Sequence, residues 1–403
     1  MPETGCGELH EPTTDEGRRL LGLVARRCEL IAADAAANDR AGAFPVGVFD
    51  RLRRDGVLGA TAPKELGGIG VASLHDVALA LLTVAEHDAS TALALHMQLS
   101  RGLTFSYEWR YGDETARALA ERLLRGMGSG EAVVCTAVKD SVVGGGGPTT
   151  LRPGPGGWVL SGRKMLASMA PIATHFVLSA RVEAPPGPVR TAAAVVPRDR
   201  AGVTVLDNWD GLGMRASGSV DVAVADCAVP EGDVFMRGPE GARDDAALAG
   251  QTVSSITMLG IYVGVAQAAR RIAGDTLRRR GRAPGAAVRT LLAEIDARLY
   301  AARATVAASL RNAEAVSARL DLDPGERGRR MMVPFQQAKL VTNRLAPEVV
   351  GDCLTLVGGA SYSGGHPLGR LYRDVRAGAF MHPYTYADAV DHLSDHALPA
   401  GGA

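Results

Sequence analysis

The chain's nine histidines are its best-suited proton carriers near neutral pH, because an unperturbed imidazole titrates there. His382 and His96 are two of them. His382 precedes Pro383 and Tyr384, and His96 stands in Leu95-His96-Met97-Gln98 within an apolar stretch. Each has a plainer reading: His382 as a surface or capping residue, His96 as a core histidine with its hydrogen bonds met. Ser168 ends the run Lys164-Met165-Leu166-Ala167-Ser168 and offers a hydroxyl. Arg278-Arg279-Arg280-Gly281-Arg282 offers guanidinium groups that suit a pyrophosphate, or else forms a solvated face. Other chemistries lack their residues. Cys6, Cys28, Cys135, Cys227 and Cys353 are odd in number, far apart and without a C-x-x-C pair. Neither a disulfide framework nor a metal site is expected, and a reducing cytoplasm fits. The run Gly144 to Gly147 lacks the Lys and Ser/Thr of a phosphate loop and reads as a plain loop.

These residues need elements to hold them. The spacing predicts helices from about Thr14 to Arg125, with Leu20, Leu21, Val24, Cys28 and Ile31 on one face. Val77 to Leu95 reads as a second apolar helix, interrupted at Glu86-His87-Asp88. From about Ala132 the period changes to short β-rich runs separated by Gly and Pro: 158–162, 175–180, 191–196 and 219–224. From about Asp244 helical spacing returns, as in Leu292, Ile295, Leu299, Val306 and Leu310. Gln337 to Val357 is also helical in pattern, with Pro347 predicted to kink or divide it. The expected fold is α+β in three parts: an N-terminal helical domain (1–130), a middle β-barrel or sandwich domain (131–238) and a C-terminal helical bundle (239–403).

Composition narrows the partners. Lys+Arg and Asp+Glu are both 44 in 403 residues, so the net charge is zero and no field gathers nucleic acid or an anionic membrane. Only Lys64, Lys139, Lys164 and Lys339 are lysines. The N-terminal acidic segment has no apolar core of the kind a signal peptide carries. Ala246 to Ala269 has no charge and is long enough to span a bilayer. Its Gln251, Thr252, Ser254, Ser255, Thr257 and Gln267 fit a buried bundle helix better.

Several segments, in order, resemble the acyl-CoA dehydrogenase superfamily. Leu212-Gly213-Met214-Arg215-Ala216-Ser217-Gly218 followed by Val229-Pro230 is similar to one family segment. Gly162-Arg163-Lys164 with Ser168 is similar to another. Gly358-Gly359-Ala360-Ser361-Tyr362, Pro367-Leu368 and Arg373-Asp374 resemble the C-terminal signature. The resemblance implies a flavin, FAD by family habit or FMN in the monooxygenase branch. It places Cys135, Thr136, Leu166 and Ser168 at the flavin ring, with Leu166 where many members stack a Trp. It places Arg280, Gly358 and Gly359 at the dinucleotide portion, the glycines serving a neighbouring subunit. The implied assembly is a dimer or tetramer. Ser141, Ser254 and Met381 fall on the substrate side.

The family's base is a glutamate at one of two positions. Here those positions hold His382 and Ser254, so the resemblance implies His382 as the base, with His96 facing the same site. Two activities stay open. One is oxidation of an acyl thioester with hydride transfer to the flavin, passing electrons to a partner protein. The other is a two-component flavin monooxygenase, using a separate flavin reductase and dioxygen for C- or N-hydroxylation. A flavin-free protein on the inherited fold is the third reading. The departures from the family pattern suggest a small, pathway-specific substrate of bacterial secondary metabolism.

Overall fold

The computed structural model describes residues 8–141, 147–184, 187–241, 244–281 and 283–398. Most of the Gly144 to Gly147 run, together with Cys6 and Arg282, lies outside them. Six helices come first: α1 Asp15–Ala25, α2 Cys28–Ala41, α3 Val46–Arg54, α4 Leu74–Ala85, α5 Ala89–Tyr111 and α6 Glu114–Ser129. Eight strands follow: β1 Val134–Ala137, β2 Thr150–Gly154, β3 Gly157–Ala167, β4 His175–Val182, β5 Arg190–Pro197, β6 Val203–Val205, β7 Val220–Pro230 and β8 Val234–Pro239. The remaining helices are α7 Ala247–Ser255, α8 Leu259–Arg279, α9 Ala286–Ser317, α10 Pro324–Val357, α11 Pro367–Asp374 and α12 Tyr386–Ala397.

The sheet runs β6-β7-β3-β2-β4-β5-β8, with β1 added parallel to β4. One face closes over Leu151, Leu160, Phe176, Leu178 and Val222. The other, through Val134, Val177, Val195 and Phe235, packs on Phe105, Leu119 and Leu124 of the N-terminal helices. The N- and C-terminal helices share a single core, in which α4 packs on α8.

The interruption at Glu86-His87-Asp88 separates α4 from α5. Asp88 leaves the helical conformation (φ −153°) and caps α5 by accepting from Thr91 N. Pro347 does not divide its helix: α10 runs without a break through Pro334 and Pro347. Each proline forfeits one backbone donor, and burial of Val349, Val350, Cys353 and Leu356 against the bundle outweighs that loss. The uncharged stretch is absorbed in the same way. Its helical segment Ala247–Arg279 is apolar enough to cross a membrane, yet 83% of its most apolar window is buried inside the fold.

Two of the sequence motifs lock each other. Met214 N donates to Asp374 Oδ1 at 2.7 Å, and Arg373 donates to Leu212 O at 3.2 Å while pairing with Asp39. A Cβ on Gly213 would lie 2.5 Å from the Arg373 carbonyl. This lock fixes where α11 ends and hence where the segment to His382 begins.

Candidate functional site

The site is built on the seam between α5 and β1. Ala94, Gln98, Arg101, Phe105 and Glu108 recur at four- and three-residue spacing and share one face of α5. Gln98 anchors that face: its amide donates to Leu58 O and Ala132 O, and its Oε1 accepts from Val134 N at 2.7 Å. Phe105 stacks on Phe235, and Glu108 pairs with Arg237. Arg101 lies between them, and among the described residues its guanidinium has no ion pair; its Nε is buried with no partner. Burial, reinforced by Arg237, pushes its pKa down to about 10.

Around the helix from this stripe, His96 is 1% exposed and neither ring nitrogen has a partner. Burial and the nearby Arg101 charge push its pKa down to about 3, so the ring is neutral at physiological pH. Thr136 shares the strand face of Val134, and its Oγ1 is likewise buried without a partner. Buried polar groups left unpaired cost about 1–3 kcal/mol each. His96, Arg101 and Thr136 each carry such a group on α5 or β1.

Beside the seam, the end of β3 supplies hydroxyls. Cys135 Sγ donates to Ser168 O at 3.0 Å, and burial pushes that thiol's pKa up, so it is an inert packing group. Ser168 Oγ lies 2.8 Å from Ser219 Oγ, which lies 2.6 Å from Ser217 Oγ. Leu166 (φ 60°) and Met169 (φ 72°) hold left-handed backbone on either side of Ser168. Such strain costs of order 1–3 kcal/mol and concentrates at functional sites. Leu166 is 39% exposed, open to cover by a flat ligand. Ser141 is buried, donates to Asp221 Oδ2 at 3.4 Å and is tied by its backbone to Arg163 O. Lys164, fully buried, donates to Val138 O and Asp140 and so fixes the loop after β1.

The C-terminal contribution is the turn from Met381 to Tyr384. Lys339 of α10 donates to Met381 O and to Tyr384 O, one carbonyl on each side of His382-Pro383. His382 is exposed, and partial desolvation, with the positive charges of Lys339 and Lys139, holds its pKa below the ordinary imidazole value. Lys139 follows β1 and its carbonyl accepts from Met165 N at 2.9 Å. The charges acting on His382 therefore include one from the β1–β3 edge.

Ser254 lies on α7, where its hydroxyl donates to Gln251 O and contacts Ser255. Gly358, Gly359 and Arg280 stand apart. Arg280 donates to Leu356 O and Val357 O, capping the carbonyl end of α10. Gly358 lies 19 residues beyond Lys339 on this helix, about 28 Å at 1.5 Å per residue, so one chain does not bring it to His382.

Sequence reasoning missed Arg101 and Lys339. Lys339 left a weak signal, being one of four lysines and falling among Phe335, Ala338, Thr342 and Ala346 on a buried stripe.

Sequence models of the acyl-CoA dehydrogenase N-terminal, middle and C-terminal domains match residues 14–131, 140–227 and 246–382. An amino sugar nitrososynthase of Streptomyces peucetius is 60% identical over 97% of this chain and 95% of its own. An L-evernosamine nitrososynthase of a Micromonospora species is 58% identical over 98% of this chain and 93% of its own. A solved structure of KijD3 in complex with FMN and dTDP-3-amino-2,3,6-trideoxy-4-keto-3-methyl-D-glucose superposes with a TM-score of 0.96 at 61% identity, covering 98% of this chain and 96% of the other. The chain belongs to the acyl-CoA dehydrogenase family and is a flavin-dependent oxidoreductase.

Proposed function

We propose that this chain oxidises the primary amine of a nucleotide-linked amino sugar, with reduced FMN and dioxygen as co-reactants. The observation that carries the reading is the proton chemistry of the site. Both positions where the family keeps a glutamate base lack a carboxylate: one holds Ser254, and the other holds His382, an imidazole. A neutral imidazole accepts a proton from an ammonium group near neutral pH. That frees the nitrogen lone pair, which is what oxygen transfer to an amine requires. Full-length relatives at about 60% identity named as amino sugar nitrososynthases support the same reading.

The residues fit a flavin. Thr136 Oγ1 and the Ser168 hydroxyl offer polar contacts for the edge of a flavin ring system, and Leu166 offers a flat apolar contact. When bound, reduced flavin supplies the two electrons needed for each oxygen atom placed on nitrogen, the other atom of dioxygen leaving as water. The chain's own part is to bind, exclude water and move protons. His96, buried and held at a pKa of about 3, stays neutral at working pH and serves as a hydrogen-bonding group, not as the base. His382, at the accessible side, exchanges protons with solvent. FMN rather than FAD is supported by the arginines once reserved for a pyrophosphate. Arg278 is paired with Asp275, Arg279 donates to Thr276 Oγ1, and Arg280 is engaged by the α10 carbonyls.

The test supplies FMN, a flavin reductase with a nicotinamide donor, dioxygen and a dTDP-linked 3-amino sugar, with the products read by mass spectrometry. Oxygen gained at the amine supports the reading. An unchanged sugar, with anaerobic bleaching of the flavin by an acyl-CoA, overturns it in favour of thioester dehydrogenation.

A further inference from the structure

Lys339 is 2% exposed and belongs to no ion pair among the described residues. Its ammonium is met by two backbone carbonyls, those of Met381 and Tyr384. Asp388 on α12 is the carboxylate whose charge acts on it, and Asp388 Oδ2 also accepts from Thr385 N at 3.0 Å and Thr385 Oγ1 at 2.6 Å. A buried cation with no carboxylate in contact is costly to keep. Pinning two carbonyls of a turn does not call for a charge, since a neutral donor would serve. The charge has a target in the imidazole between those carbonyls. The charged groups that act on His382 come from three elements: Lys339 on α10, Lys139 after β1, and Asp388 on α12. Two are positive, and one of these is buried and fixed.

We infer that Lys339 is the positioning residue of His382: it holds the turn that carries the imidazole, and its positive charge favours the ring's neutral, proton-accepting form. The role of His382 in proton transfer rests on the function proposed above, but the coupling between the two side chains does not. The signs follow from electrostatics. A cation beside an imidazole lowers the imidazole's pKa, and burial lowers that of the cation. Below about pH 8 Lys339 is charged and His382 is kept neutral to lower pH than a free imidazole. Above it Lys339 loses its proton and its influence.

The experiment is an NMR titration of the His382 ring protons, assigned by comparison with His382→Asn. In the unmodified protein they show a main inflection below pH 6.5 and a second, smaller one near pH 8 as Lys339 deprotonates. In Lys339→Met the second inflection disappears and the main one moves up. In Lys339→Arg the main one stays low. A His382 titration identical in wild type and in folded Lys339→Met overturns the inference. If Lys339→Met does not fold, the absence of the second inflection in the wild type overturns it alone. Because the readout is the imidazole itself, an enzyme that fails to oxidise the amine leaves this result standing, and the converse also holds.

Discussion

Replacing His96 with leucine separates a ligand-binding histidine from a packing one. The folded ring is 1% exposed and leaves one donor and one acceptor unpaired. At about 1–3 kcal/mol for each unmet group, His96→Leu, which nearly conserves volume, stabilises the ligand-free protein by about 2 kcal/mol. The pH dependence gives a second, independent number. The folded pKa is about 3 and the ordinary value 6.5. A depressed imidazole contributes stability that is complete above pH 6.5 and is lost as the pH falls, because the unfolded ring takes up a proton that the folded one refuses. The loss is about 1.4 kcal/mol per pH unit, or about 2 kcal/mol between pH 6.5 and about pH 5. His96→Leu abolishes that part of the acid sensitivity. Urea unfolding of the ligand-free proteins at pH 7.5 and pH 5, wild type against variant, measures both quantities, and a turnover assay measures the accompanying loss of oxidation. A variant less stable than wild type at pH 7.5, with the same acid sensitivity, refutes the argument and makes His96 an ordinary core residue.

Three further outcomes follow from single contacts. Gly213→Ala drives a Cβ to 2.5 Å from the Arg373 carbonyl, costs about 2 kcal/mol or more in urea unfolding, and lowers turnover by moving the start of the His382 segment. Asp140→Asn keeps an oxygen that accepts from buried Lys164 but removes the negative charge that compensates it. It costs about 1–2 kcal/mol, since Asp140 is itself partly exposed, and the difference from wild type fades below pH 3.8 as the wild-type carboxylate protonates. Arg101→Met removes a cation whose burial the charge of Glu108 offsets only in part; the ligand-free protein is at least as stable as wild type, while FMN binding measured by calorimetry weakens about tenfold or more.

The residues that carried the fold in sequence were those with local meaning. Change of period at Ala132 and Asp244 marked the sheet, and the glycines and charges of Leu212 to Gly218 and Arg373-Asp374 marked two segments that meet in space. Asp88 looked like a mere interruption because capping depends on its own φ, which a periodicity does not report. α10 begins well before the Gln337 to Val357 pattern, although Asp323-Pro324 is a readable start signal, and it continues through Pro347 because bundle packing overrules that proline. His96, Thr136, Ser168 and His382 stood out by resemblance. Arg101 and Lys339 did not, because what distinguishes them is a buried charge without an ion-pair contact, a tertiary property with no sequence spacing.

The most direct test of the account is a single-turnover reaction of the protein loaded with chemically reduced FMN. It is mixed with heavy-oxygen-labelled dioxygen and a dTDP-linked 3-amino sugar, and the sugar is analysed by mass spectrometry. The account predicts labelled oxygen on the amine nitrogen, and loss of that product in His382→Ala. Reoxidation of the flavin with an unlabelled, unchanged amino sugar would contradict it.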